Sequence, residues 1–292
     1  MDKSTLAAIN TKLNSDFKLV KQFGDGNSNK NFLLTDSKNK DIVVKQLENQ
    51  PVEFVPVEVL IQKHLNKKGL STPQIKNFDD ENTQILKLGS KNLTHTDFIQ
   101  SDESLPAPYE LGVNIAKFQI AMKEFKHKLP PNWLHPIYWG NLKFETNDIE
   151  LSEQIQKDLK EYRDTLTKLN LPKTIIHGDL NLGNVLTLNS KIIATLDLES
   201  TENNFRILDI GMTIFQVKPN YKISYYDLAN EVIRGYESLI SLTEQEKNQV
   251  LTATLYSASA SGLWNLSFEG ASKDFLESYT ALINRIKDGF NT

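Results

Sequence analysis

The sequence predicts an α+β protein in two parts: a small strand-rich part over residues 1–90 with one main helix, and a larger, mostly helical part over residues 91–292. Three observations predict it. Short runs rich in β-branched and aromatic residues, separated by Gly, Asn and Asp, fill the first part. The apolar period becomes helical from about residue 94, and a polar stretch near residues 89–93 reads as the connector.

In chain order, FKLVKQF, NKNFLL and DIVVKQL read as strands, and QILKL as a further one. Between them, after Pro56, VEVLIQKHLNKKG places Val57, Leu60, Ile61 and Leu65 on one helical face and stops at Gly69. In the second part PYELGVNIAKFQIAM spaces Leu111, Ile115, Phe118 and Met122 by four, three and four. Ile155, Leu159, Tyr162 and Leu166 repeat that stripe, so both are core faces. Thr243 and Glu246 form a capping box expected to open a long helix through Leu255 towards Trp264. The run IIHGDLNLGN, at residues 175–184, interrupts the helices with short strands, and no internal repeat is present.

The 292 residues, 39% apolar and 24% charged, describe an ordinary globular chain with room for a sizeable core. A formal charge of −4 gives no basic footprint for nucleic acid. The absence of cysteine removes disulfides, thiolate catalysis and cysteine-bound zinc. No stretch approaches the roughly 18 apolar residues of a membrane span, and the start, MDKSTLAAINTKLN, has no signal-peptide core. The expectation is a cytoplasmic protein with no membrane or nucleic-acid partner; no residue pattern assigns an oligomeric state.

The run IIHGDLNLGN, followed by ATLDLES, puts carboxylates at the ends of apolar strands, where an unpaired charge is costly. Asp179 and Asn184 have the spacing D-x-x-x-x-N. Phosphoryl transfer needs a carboxylate to take the proton of an attacking hydroxyl, and oxygen ligands to hold magnesium against phosphates. Asp197 follows thirteen residues after Asn184 across VLTLNSKIIATL, a hairpin pattern with a turn at LNSK that returns it beside the loop. By itself the segment fits a structural turn about equally well.

Upstream, FGDGNSNKNFLL holds Gly24 and Gly26, a plain hairpin turn or a loop whose N–H groups approach phosphate. Lys45, among valines, is a snorkelling surface residue or a phosphate-binding charge. Glu58 is a first-turn carboxylate suited to the helix dipole or the partner of Lys45, with Glu53 as competitor.

Glycine turn, strand lysine, helix glutamate, D-x-x-x-x-N and a later aspartate occur in the order of the kinase template. Through IIHGDLNLGNVL and ATLDLES above all, the chain resembles the aminoglycoside phosphotransferase, choline kinase and homoserine kinase superfamily, and the likeness spans nearly the whole chain. The resemblance implies a bilobal, protein-kinase-like fold, with an antiparallel-sheet N-lobe and a helical C-lobe carrying the acceptor pocket. It implies ATP and Mg²⁺ as cofactors, with Asp179 as catalytic base, Asn184 and Asp197 as metal ligands, and Lys45 with Glu58 at the phosphates. His177 and Asp209 become braces of the catalytic loop.

The chain departs from protein kinases at Asn29, where they carry a third glycine, and in Asp-Leu-Glu where they have Asp-Phe-Gly; nothing matches their Ala-Pro-Glu segment. The expected acceptor is therefore the hydroxyl of a small molecule: an amino alcohol or amino acid such as choline or homoserine, with an aminoglycoside as the alternative. A non-catalytic nucleotide-binding module of the same fold is the competing class. Glu199 is placed beside Asp197, supporting the metal, meeting a cationic substrate or merely solvated in a turn. Trp264, with Trp133, Tyr138 and Trp139, is an aromatic candidate for the substrate pocket or for the core, and Arg206 and Arg234 are cations for a carboxylate or for the surface.

Overall fold

A computed structural model describes residues 1–24, 29–48, 50–102, 104–129, 149–269 and 273–291. Gly26, Trp133, Tyr138 and Trp139 lie outside the described residues. The chain divides into two compact units, Met1–Ser101 and Asp102–Thr292.

Unit 1 is built on a five-stranded antiparallel sheet of β1 (Lys18–Gln22), β2 (Asn29–Thr35), β3 (Asp41–Leu47), β4 (Leu86–Leu88) and β5 (Lys91–Asp97). Their spatial order is β1-β2-β3-β5-β4. The expected polar connector at residues 89–93 is thus the turn of the β4–β5 hairpin and the start of β5. Because β5 pairs with β3 from Asn92 to Asp97, it belongs to unit 1, which runs to Ser101 where the sequence placed a boundary at residue 90.

Alternation along β3 sends Ile42 and Val44 to one face and Val43, Lys45 and Leu47 to the other. Ile42 and Val44 pack with Phe32, Leu34 and Leu93 against Ile9 of α1 (Lys3–Leu13). This second helix was not read from the sequence. It is capped by Asp2, whose carboxylate accepts from Thr5 N at 2.7 Å.

Leu47 packs with Val55 and Val59 of α2 (Val55–Lys67), so α2 covers the face that carries Lys45. The buried side of α2 includes Glu58 and Gln62, with Val55, Val59, Ile61 and Leu65; Val57 and Leu60 are only half-buried. The apolar pattern misplaced this face because two polar side chains satisfy one another inside it. Glu58 accepts from Gln62 Nε2 (3.3 Å) and from Gln50 Nε2 (3.1 Å).

Unit 2 starts with α3 (Pro108–Met122), then α4 (Ile149–Lys168), and both predicted stripes are buried. Next come two short two-stranded antiparallel sheets. β6 (Lys173–Ile176) pairs with β9 (Glu202–Phe205), and β7 (Val185–Leu188) with β8 (Lys191–Thr195). The β7–β8 turn places Asn189 and Ser190 at φ 51° and 60°, the left-handed pair of a tight hairpin. Helices α5 (Ile207–Val217), α6 (Tyr225–Glu237), α7 (Glu244–Lys247), α8 (Val250–Glu269) and α9 (Lys273–Phe290) complete the unit.

The Thr243–Glu246 capping box forms, but it opens the one-turn α7, and the long helix starts separately at Val250. Glu246 is fully buried, and both its oxygens take Arg206 donors, Nε at 2.5 Å and Nη2 at 2.6 Å. That anchor fixes the direction of α7 independently of α8. Arg206 is thereby committed to structure. Arg234 pairs with Glu231 on the surface and lies 4.6 Å over the Tyr109 ring.

Candidate active site

Strand β6 delivers His177 directly after the buried Ile176. The His177 ring is inaccessible to solvent, and its Nε2 lies 2.9 Å from the Leu196 carbonyl oxygen. A carbonyl only accepts, so Nε2 carries the proton, and Nδ1 is left to accept from Asp179 N at 3.3 Å. Burial lowers the His177 pKa, with the charge of Asp209 opposing, which keeps the ring neutral. It is a clamp joining the two segments.

Gly178 follows at φ 83°, and a Cβ there would lie 2.4 Å from the Ser200 carbonyl oxygen. Only glycine fits, on both conformational and steric grounds. Gly178→Ala is expected to destabilise the protein by about 1–3 kcal/mol or more, read from its melting curve.

Asp209, in the first turn of α5, is buried beneath this loop. Its Oδ1 accepts from Gly178 N (2.9 Å), and its Oδ2 accepts from His177 N (3.1 Å) and Gln119 Nε2 (3.0 Å). Burial raises its pKa, and the N–H donors oppose that rise. Thr213 Oγ1, one turn further along α5, donates to Leu180 O at 2.8 Å and ties down the other side of Asp179.

The Asp179 carboxylate is held by two amides. Asn181 Nδ2 donates to Oδ1 at 3.1 Å, and Asn184 Nδ2 to Oδ2 at 3.0 Å and to the Asp179 carbonyl at 2.7 Å. Asn181 Oδ1 in turn accepts from Gly183 N at 2.7 Å, closing the tight turn that lets a five-residue separation bring both ends together. Burial and the negative charge of Asp197 push the Asp179 carboxyl up to about 7, against the pull of the two amides. A carboxyl poised there exchanges a proton readily near neutrality.

The β7–β8 hairpin brings Asp197 back as expected. Leu196 N donates to Asn184 O at 2.8 Å, which joins the residue before Asp197 to the other end of the loop. Asp197 itself lies at φ 57°, ψ 71°, a left-handed conformation that Asp tolerates better than most residues. Thr195, two residues earlier, is hydrogen-bonded to Asn114 of α3 (Asn114 Nδ2 to Thr195 Oγ1, 3.2 Å).

Glu199 is buried, in a 3₁₀ turn over Leu198–Ser200. The extended-chain alternation that placed it beside Asp197 therefore does not apply. Trp264, on α8, is half-buried and packs against the helical core of unit 2. In unit 1, a Cβ on Gly24 would meet open space, and Asn29 opens β2, its Oδ1 accepting from Glu48 N at 3.4 Å. Lys45 lies between Asn31 and Thr94 in the sheet, on the face under α2. Glu58 is buried on that helix, whereas Glu53 is exposed.

The sequence reading missed Gly178, Asn181, Gln119 and Thr213. Gly178 and Asn181 stand inside the motif, and the Gly after a strand-end His was a readable turn signal. Gln119 and Asp209 are ninety residues apart, and nothing local marks their pairing.

Asp197 and Asn184 are the residues that could offer oxygens to a divalent cation, the Asn184 amide nitrogen being bonded to Asp179. This donor set suits magnesium, which takes one or two protein carboxylates and completes its shell with phosphate and water. Among the described residues no cluster of three His, Cys, Asp or Glu side chains could hold a metal by itself. Nor is any described helix long and apolar enough to cross a membrane.

The profile of the phosphotransferase enzyme family matches residues 19–237, from β1 to the end of α6. The chain belongs to the phosphotransferase enzyme family. This phosphotransferase is 25% identical over 245 residues to a homoserine kinase of Zymomonas mobilis, covering 78% of this chain and 74% of that one. It is likewise 25% identical over 241 residues to a homoserine kinase of Gluconobacter oxydans, covering 76% and 74%. Among solved structures, an amicoumacin kinase in complex with AMP-PNP, Ca²⁺ and its ligand superposes with a TM-score of 0.76 at 14% identity, covering 99% of this chain and 94% of that one. The phosphotransferase thus has the protein-kinase-like fold of its relatives.

Proposed function

We propose that this phosphotransferase is an ATP- and Mg²⁺-dependent kinase that phosphorylates the side-chain hydroxyl of homoserine. The observation that carries the chemistry is the Asp179 carboxylate, oriented by Asn181 and Asn184 and joined through Leu196 to the segment bearing Asp197. The acceptor comes from the two homoserine kinases, similar across three-quarters of either chain.

In this reading Asp179 accepts a hydrogen bond from the substrate hydroxyl and aims its oxygen at the γ-phosphorus. As the new O–P bond forms, the bond from the γ-phosphorus to the bridging oxygen breaks, ADP departs, and the hydroxyl proton passes to Asp179 and then to solvent. Asn184 and Asp197 would hold Mg²⁺, which when bound neutralises charge on the phosphates. Lys45, steadied by Glu58, and the loop containing Gly24 and Gly26 are assigned to the phosphates. His177 and Asp209 hold the loop and move no proton. Glu199 is our candidate for the substrate ammonium group and Trp264 for an apolar wall of the acceptor pocket.

The experiment is a panel of homoserine, choline, ethanolamine and an aminoglycoside, each with ATP and Mg²⁺, followed by nucleotide consumption and product mass. Homoserine is expected to exceed the others in kcat/KM by at least about 100-fold. Preference for choline or the aminoglycoside overturns the acceptor. ATP-dependent thermal stabilisation without any phosphorylated product would indicate a non-catalytic module instead.

A further inference from the structure

We infer that Gln119 and Tyr236 are positioning residues of the phosphotransfer step, fixing through Asp209 the two backbone N–H groups that precede Asp179. The inference rests on the reading of Asp179 as the base.

Gln119 is buried in α3 and uses both ends of its amide. Its Nε2 donates to Asp209 Oδ2 at 3.0 Å and to the Arg206 carbonyl at 2.9 Å, and its Oε1 accepts from the Tyr236 hydroxyl at 2.6 Å. The opposite amide orientation would turn Oε1 towards a carboxylate and a carbonyl, two acceptors without a proton to share. Tyr236, also buried, supplies the one hydrogen that selects the working orientation.

The hydroxyl is held at a fixed distance by close backbone packing of α3 on α6. A Cβ on Gly112 would lie 1.9 Å from Val232 O, and one on Gly235 would lie 2.0 Å from Tyr109 O. These helices cannot approach more closely, and a side chain at either glycine would force them apart.

Asp209 is where this rigidity reaches the loop. Gly178 N alone holds Oδ1, whereas Oδ2 is shared by His177 N and Gln119 Nε2. Without Gln119 the carboxylate loses one of its three donors, the one supplied from outside the loop, and rests on the two loop amides. Both loop amides then loosen, and with them the direction of Asp179. The same helix carries Asn114, bonded to Thr195 two residues before Asp197. Helix α3 therefore holds both chemical segments of unit 2, one amide side chain for each.

The test compares Gln119→Leu, Gln119→Glu and Tyr236→Phe with the wild-type chain and with Asp179→Asn. The measurements are kcat and KM on the best acceptor, and hydrogen exchange of individual amides by NMR. Gln119→Leu is expected to lower kcat by about 10- to 100-fold with KM values changed less than about threefold. Exchange at His177 and Gly178 should quicken about tenfold, while Val44 and Leu93 in unit 1 keep their rates.

Gln119→Glu adds a pH signature. Its acid form can donate O–H to Asp209, whereas its ionised form repels it, so its kcat relative to wild type should fall between pH 6 and 9. The Gln119→Leu ratio should stay flat. Tyr236→Phe, which removes one oxygen at nearly constant volume, should lower kcat about three- to tenfold and keeps the inference testable if Gln119→Leu fails to fold. Wild-type kcat and wild-type exchange at His177 and Gly178 in Gln119→Leu, or in Tyr236→Phe if the former does not fold, would overturn the inference. Full activity of Asp179→Asn alongside faster loop exchange in Gln119→Leu would instead remove Asp179 as base and leave the positioning network standing.

Discussion

Asp179→Asn is expected to lower turnover by about 10²- to 10⁴-fold while leaving Mg·ATP affinity within a few-fold. The substitution preserves shape but removes the proton acceptor. It also disturbs the cradle: the carboxylate accepts from both Asn181 and Asn184, and an asparagine amide offers only one oxygen to two donors. The pH profile supplies the sign. A base works deprotonated, so kcat/KM should rise with pH through about 7, the value to which burial and Asp197 raise this carboxyl, and then level off. The residual activity of Asp179→Asn should lack that limb. Stability should move the other way. A carboxyl raised above its unfolded value of 3.8 costs stability as pH climbs from the unfolded pKa to the folded one, so wild type should lose melting temperature between about pH 5 and 8 and the variant should lack that loss. Wild-type turnover on the true acceptor would take Asp179 out of the mechanism.

Asp197→Asn is expected to raise the Mg²⁺ concentration required for activity by about 100-fold or more, because a neutral amide replaces the sole carboxylate assigned to the cation. Asparagine is the informative substitution: at φ 57° alanine would add backbone strain of about 1–2 kcal/mol, and Asn tolerates this region nearly as well as Asp. The same variant tests the coupling between the two carboxylates. The charge of Asp197 helps raise Asp179, so its removal should shift the acid limb to lower pH at saturating metal. An unchanged magnesium titration would refute the metal assignment, and an unmoved limb would refute the coupling.

The parts legible in the sequence are those written in local patterns. Period-two runs marked β1 to β4, four-three-four spacing marked α3 and α4, and D-x-x-x-x-N with its hairpin marked Asp179, Asn184 and Asp197. Helix α1 was not legible because only Thr5 and Ile9 along it are buried, too little contrast for a stripe. The buried face of α2 was misread because Glu58 and Gln62 go inside as a mutually bonded pair. Glu199 stands in a 3₁₀ turn instead of the expected extended run, because alternation ends where Asp197 turns left-handed. Gln119, Tyr236 and the Arg206–Glu246 pair depend on contacts over 90, 117 and 40 residues of sequence, and no local rule reaches that far.

The most direct measurement is a crystal structure with Mg²⁺ and a hydrolysis-resistant ATP analogue. The expected result is a cation bound at about 2.1 Å by the Asp197 carboxylate and the Asn184 amide oxygen, with Asp179 outside its inner shell and open to an acceptor hydroxyl. A cation ligated by Asp179, or one that neither Asn184 nor Asp197 touches, would contradict it.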